Sequence, residues 1–277
     1  MLDKNPYRDL PTFLYKYRSF DKEELQLKFF LDGSLYCSPP IKFNDPFDSF
    51  VKVNYSSYTD KAIVNKLERI INHLNPNLSE NEIKVQAKYE FENFDKGRLL
   101  DKDLQRNILI NHITNYIGVY SLSEAKNHIL LWSHYAASHT GFVIEFNAVF
   151  LKNYLVNTYF PLNQKRLLLK VNYSNKYQSV NAFSESYDKE LSKAFLTKAK
   201  EWSYEKEWRI LYYNGANKSI IMPLEFIPDI VNSVILGSKI SSIDEGKIKD
   251  ILSRHNIKIK KAIQSDKKFE MIYKDIN

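Results

Sequence analysis

The run Trp202-Ser203-Tyr204-Glu205-Lys206-Glu207-Trp208-Arg209 concentrates the chemistry of this chain. Two carboxylates stand at i and i+2, where a helix-like segment gives way to the apolar residues Ile210-Leu211-Tyr212-Tyr213. In an extended strand that spacing puts Glu205 and Glu207 on one face. Trp202, Tyr204 and Trp208 surround them with aromatic surface, which lowers the local dielectric and perturbs acidity. Paired carboxylates in such a setting suit acid–base work or the stabilisation of a cationic transition state. The same residues also read as two solvated glutamates at a strand edge, paired with Lys206 or Arg209.

Three further groups have side chains of the right type. His134 and Tyr135 follow Trp132 on an amphipathic helical pattern, with His139 beyond. Two histidines without a third ligand do not make a metal site, so these side chains either pack within the core or line a nucleotide pocket. Asn44, Asp45 and Asp48 lie in Phe43-Asn44-Asp45-Pro46-Phe47-Asp48 and could meet a substrate or cation, although Asn-Asp-Pro is equally a turn signature. Glu145 interrupts the apolar strand Phe142-Val143-Ile144, and a buried glutamate requires either a partner or a site.

The elements that must position these groups follow from periodicity. Phe13 to Arg18 alternates apolar or aromatic with basic residues and predicts a strand. Asp21 and Glu24 form an acidic variant of the capping box for a helix that stops at Gly33. Leu35-Tyr36-Cys37 returns as a strand. Ile63, Leu67, Ile70, Ile71 and Leu74 recur at helical spacing, Ser79-x-x-Glu82 opens a second helix, and Leu99 to Tyr116 supplies a third. Residues 59–116 therefore read as a helical insertion. Beyond it come a strand over Ile117 to Leu122, a helix over His128 to Ala137 and a strand over Gly141 to Phe146, with Gly141 read as a tight turn. A strand around Leu168 to Tyr173, a helix from Glu185 to about Lys200, and a hairpin of Glu207 to Tyr213 with Ser219 to Met222 follow. Val234 to Gly237 reads as a buried strand and Asp244 to Arg254 as a helix capped by Ser242. Two strands close the chain. The fold class expected is α+β: a bent mixed or antiparallel sheet in one domain over 1–277, carrying the insertion.

Composition bounds the function. The chain has 277 residues, 44% of them hydrophobic, so it can bury a sizeable core and is not globally disordered. Its single cysteine, Cys37, excludes an internal disulfide and a cysteine-based zinc cluster. No stretch approaches the roughly 20 apolar residues that span a membrane, and the first residues are polar, so a cytoplasmic protein without a membrane partner is expected. The formal charge of +7 favours anionic partners, but the lysines are scattered, and charge alone does not argue nucleic-acid binding.

Separated blocks resemble a bacterial family, domain of unknown function 2971: Leu14-Tyr15-Lys16-Tyr17-Arg18, the Phe43 to Asp48 loop, Ser121-Leu122-Ser123-Glu124, Leu131 to Ala136, Gly141 to Phe146, and Lys200 to Arg209. More distantly, Tyr17-Arg18, Tyr120-Ser121-Leu122-Ser123 and Glu205-Lys206-Glu207 occur in the order that resembles ADP-ribosyltransferases of the Arg–Ser–Glu type. That resemblance implies NAD as a substrate, with no metal, and an ADP-ribosyltransferase-like sheet. It places Tyr17, Arg18, Ser121, Ser123, Trp132 and Tyr135 about the dinucleotide and Glu207 and Glu205 in catalysis. Arg18 would clamp the diphosphate, and Glu207 would support the positive charge that grows at the ribose as nicotinamide leaves. The acceptor would be protein or nucleic acid, and the biological role a defence or toxin effector. The long interval between Arg18 and Ser121 departs from the pattern. Two alternatives stand beside it: a non-catalytic nucleotide- or nucleic-acid-binding sensor, and a metal-dependent nuclease using Asp45, Asp48, Glu145, Glu205 and Glu207.

Overall fold

Alternating apolar and polar residues give this chain its sheet. The computed structural model describes residues 6–20, 26–54, 59–93, 116–158, 164–181, 184, 186–214, 221–224 and 228–276. The Asp21–Glu24 cap and nearly all of the third helix expected in the insertion lie outside these residues. The strands are β1 (Phe13–Arg18), β2 (Ser34–Tyr36), β3 (Lys52–Asn54), β4 (Ile117–Ser123), β5 (Phe142–Asn147), β6 (Gln164–Lys170), β7 (Asn172–Tyr173), β8 (Ser179–Asn181), β9 (Thr197–Lys198), β10 (Glu207–Asn214), β11 (Ile221–Pro223), β12 (Val231–Leu236), β13 (Lys258–Gln264) and β14 (Met271–Asp275). The helices are α1 (Lys28–Asp32), α2 (Asp60–Leu74), α3 (Glu80–Glu92), α4 (Ile129–Tyr135), α5 (Ala148–Asn157), α6 (Tyr187–Phe195) and α7 (Ser242–Ser253). The fold class is α+β, as expected.

Two compact units are formed, one from residues 1–44, 113–173 and 200–277, the other from 45–112 and 174–199. The first is built on an eight-stranded mixed sheet in the order β14-β13-β12-β5-β1-β4-β10-β6. Its neighbours run antiparallel except β12 and β13, which are parallel. Both faces are covered. Leu14, Tyr120, Leu122, Phe142, Ile144, Phe146, Trp208 and Ile210 pack on one face with Phe29, Phe30 and Leu151. Tyr15, Tyr17, Val143 and Ile235 pack on the other with Leu131 and Trp132 of α4. Such two-sided burial explains why β10 and β5 read as nearly continuous apolar runs rather than as alternation.

In the second unit, α2 and α3 bury Ile71, Ile83 and Ala87 against each other, with Val64, Leu67 and Leu78 beside them. Thr59 caps α2 by accepting from the Ala62 amide at 3.1 Å. The expected capping box is present at α3, where Ser79 accepts from the Glu82 amide and the Glu82 carboxylate accepts from the Ser79 amide at 2.8 Å. This unit also takes in β8 and α6, and β3 pairs with β8 in parallel.

Three local expectations are corrected. The hairpin of β10 with the following strand does not form: β11 pairs with β2, because β10 already has β4 on one side and β6 on the other. Glu205 is not part of the strand. It ends a 3-10 turn (Lys200–Glu205), and Lys206 follows with φ of 45°, so the left-handed kink separates the two carboxylates that strand spacing would have aligned. The helix at α4 stops at Tyr135 because Ala137, Ser138 and His139 all take positive φ, at 45°, 52° and 72°.

Candidate functional site

Strand β1 lies at the centre of the sheet and pairs differently on its two sides. Against β5 the register is continuous from Phe13↔Asn147 to Arg18↔Phe142. Against β4 it makes one pair, Tyr15↔Ser123. Past that pair the strands part, and the Lys16 ammonium crosses the gap to donate to the Ser121 carbonyl at 2.6 Å. Ser38 bridges the same edge of β4 at Val119.

Ser123 is also opposite Glu207 on β10. Tyr15, Ser123 and Glu207 therefore form one row across three adjacent strands, with their side chains on one face. Tyr17 and Ser121 share that face by alternation. Lys16 and Arg18 alternate to the reverse face, where both cations lie over the Tyr120 ring, at 4.5 Å and 5.0 Å from its centroid.

A cleft of about 300 Å3 opens at the end of β1, lined by Lys16, Tyr17, Arg18, Ser19, Gln26, His134, Tyr135 and Ala137. Four of the residues expected at the site thus meet there: Tyr17, Arg18, His134 and Tyr135. Trp132 is fully buried beneath, edge-on to the Tyr17 ring at 5.5 Å. Glu205 connects to the cleft through Tyr135, whose hydroxyl donates to its carboxylate at 2.7 Å. The Ser123 hydroxyl donates to the Glu205 carbonyl and accepts from the Ala125 amide at 2.9 Å, which fixes the turn ahead of β10. Ser121, Ser123, Glu205 and Glu207 are not lining residues, so the expected single ring of side chains is divided by strand alternation and by the Lys206 kink.

Glu207 is 3% exposed and held by Arg209, whose Nε and Nη2 donate to the two carboxylate oxygens at 2.8 Å and 3.1 Å. This is the Arg209 pairing that the sequence allowed, but in the middle of the sheet rather than at a solvated edge. Arg209 itself is wholly buried and its guanidinium lies over Phe43. Asn44, beside Phe43, is exposed. Asp45 accepts from the Phe47 amide at 2.9 Å and makes the turn. Asp48 is buried within the second unit and pairs with Lys198 at 3.5 Å. Among the described residues, no three metal-ligating side chains converge.

Charge in the cleft is unbalanced. Arg18 and Lys16 form no ion pair among the described residues, and the Arg18 Nε is buried with no hydrogen-bond partner. Burial, and then the neighbouring Arg18 charge, pull the Lys16 ammonium well below its ordinary pKa, against the weaker attraction of Glu207 and Glu205. Burial likewise pushes the Tyr17 hydroxyl upward, and it stays protonated to donate to the Ala125 and Lys126 carbonyls at 2.7 Å.

Residues 131–210 match the family model described as "Protein of unknown function (DUF2971)". No curated protein and no solved structure matches the chain. The matched segment runs from α4 to β10, so it carries Trp132, His134, Tyr135, Glu205, Glu207 and Arg209, and it contains the resembling blocks Leu131 to Ala136, Gly141 to Phe146 and Lys200 to Arg209. Lys16, Arg18 and Gln26 come from outside the DUF2971 segment, and Lys16, Gln26 and Arg209 were not among the expected site residues. The signal for Lys16 was in the strand itself, since Lys16 and Arg18 at i and i+2 must share a face. Gln26 left none.

Gly141 ends the turn into β5 that was expected there, its amide donating to the Ala136 carbonyl at 2.9 Å. A Cβ there would lie 2.0 Å from the Arg18 carbonyl oxygen, so glycine is required by close backbone approach as well. Gly141→Ala should push the end of β1 away, lowering stability by about 1–3 kcal/mol and displacing Arg18. Thermal denaturation beside an anion-binding titration checks this; an alanine variant with unchanged stability would remove the packing argument.

Proposed function

We propose that this protein is an NAD-consuming ADP-ribosyltransferase-like enzyme whose dinucleotide enters the cleft at the end of β1. The observation that carries this reading is the adjacency of β1, β4 and β10, which brings the strands bearing Arg18, Ser121 with Ser123, and Glu207 side by side although they are far apart in sequence, with Arg18 on the opposite face of the sheet from the serines and Glu207. Arg18 offers a guanidinium with no carboxylate partner among the described residues, suited to two diphosphate oxygens. His134 and Tyr135 give the cleft aromatic walls for a base or nicotinamide ring. In the reaction the bond from ribose C1′ to the nicotinamide nitrogen breaks with its electron pair leaving on nicotinamide. The acceptor nucleophile forms the new bond at C1′ and loses its proton. Glu207 supplies the negative charge that favours the cationic ribose.

A second reading, a dinucleotide-binding sensor without catalysis, is favoured by one observation: the bidentate Arg209 pair already offsets the Glu207 charge. Calorimetric NAD binding and nicotinamide release separate the two. The first reading expects both signals from the wild-type chain. Arg18→Ala should weaken NAD binding on the order of 10–100-fold, the loss of a charge-assisted hydrogen bond. Binding without release would favour the sensor, and neither signal would exclude both.

A further inference from the structure

We propose that Lys16 and Gln26 determine what the cleft selects: a phosphorylated sugar, with its phosphate between Lys16 and Arg18 and a sugar hydroxyl donating to Gln26. The inference rests on the cleft of the proposed function and narrows it to one half of a dinucleotide. Two buried polar atoms among its lining residues have no hydrogen-bond partner, the Arg18 Nε and the Gln26 Oε1. An unpaired buried donor or acceptor is costly, and natural proteins rarely retain one without a use. Here there is one of each. A ligand that satisfies both must bring an acceptor to Arg18 and a donor to Gln26.

Charge identifies the acceptor. Lys16 and Arg18 are two residues apart on β1, on the same face, over the same Tyr120 ring, and neither has a carboxylate partner among the described residues. One Lys16 proton is used on the Ser121 carbonyl, which leaves two of its three donors for another group. A point charge beside a planar fork fits a phosphate group. An anion between them would also offset the Arg18 repulsion that, after burial, lowers the Lys16 pKa.

The donor and the size follow. A phosphate dianion has no donor for Gln26, whereas sugar hydroxyls supply several. The volume of about 300 Å3 is at the lower end of small-molecule sites. It suits a ribose phosphate with His134 and Tyr135 at the rim, and the remainder of a dinucleotide would extend outside.

The test titrates the full chain with ribose 5-phosphate, inorganic phosphate and ribose by calorimetry. Ribose 5-phosphate is expected to bind about tenfold or more tightly than inorganic phosphate, a difference worth one hydrogen bond between neutral groups, and ribose not measurably. Gln26→Leu should erase the preference for the sugar phosphate and leave phosphate binding. Lys16→Met should weaken both phosphate ligands by about tenfold or more, and Lys16→Arg, which keeps the charge should Lys16→Met fail to fold, should retain them. Equal affinity for phosphate and ribose 5-phosphate, or a preference untouched by Gln26→Leu, overturns the proposal. The outcomes for the two readings stay separate. Sugar-phosphate selectivity without nicotinamide release removes the transferase and keeps this site, and NAD cleavage indifferent to Gln26→Leu and Lys16→Met does the reverse.

Discussion

Glu145→Ala is expected to lower the free energy of unfolding by about 3–5 kcal/mol, the usual cost of breaking a buried ion pair from one side. Glu145 lies in the middle of β5, opposite Tyr15 on β1 and Ser233 on β12, and is 1% exposed. Its Oε1 accepts from the Lys126 ammonium at 2.9 Å, and its Oε2 from Asn232, Ser233 and Lys260 at 2.6, 2.5 and 3.1 Å. Truncation leaves Lys126 and Lys260 without their anion and several donors unpaired. Burial by itself would raise this carboxyl, but the bonds from Ser233, Lys126 and Asn232 outweigh it and hold the pKa at about 2. The folded value is depressed, so the stabilisation is complete above the ordinary carboxylate pKa near 4.5 and is lost as pH falls from there to about 2. Over that window it amounts to ~3 kcal/mol. Chemical denaturation as a function of pH reads both effects. Glu145→Gln should flatten the acid limb between those values, and an acid limb identical to wild type would refute the assignment.

Glu207→Gln should reduce nicotinamide release by on the order of 10²–10³, with NAD binding little changed, because a preorganised charge at the reacting centre acts on the transition state. The fold keeps this carboxylate in one orientation through the Arg209 fork, and its charge is felt at Lys16. Neutralising it also removes the charge that Glu207 sets against the buried Arg209, so turnover must be referred to the folded fraction measured by thermal denaturation. Glu205 is tied to the cleft by Tyr135. Glu205→Gln should therefore spare NAD hydrolysis and depress transfer to an acceptor. A folded Glu207→Gln protein with wild-type nicotinamide release would remove Glu207 from the chemistry.

Much of the local architecture is written in short-range pattern. The alternation of Phe13 to Arg18, the capping box at Ser79 and Glu82 and the C-terminal glycine of α1 act over a few residues, where propensity and hydrogen bonding decide the outcome. Gly33 takes φ of 64°, as a left-handed cap requires. The apolar run of β10 was visible for the same reason. The residue types of the site were also legible: Arg18, Tyr135, Glu205 and Glu207 stand out because charges and aromatics interrupt apolar strands.

What the sequence left open is which strands are neighbours. Placing β1 between β5 and β4, and β4 beside β10, depends on pairings across about a hundred residues, and those are settled by burying both faces of one sheet. The hairpin expected after β10 failed on this point, since β10 had no free edge. The same long-range choice parts β1 from β4 beyond Tyr15 and Ser123, sends Lys16 across the gap, and brings Gln26 to the cleft beside Arg18. Residue type and spacing determined which groups could do chemistry here. Only the tertiary structure decided that Glu207 would be locked by Arg209 while Lys16 and Arg18 were set side by side with no carboxylate partner among the described residues, because burial and partner supply belong to the packed sheet and not to any one segment.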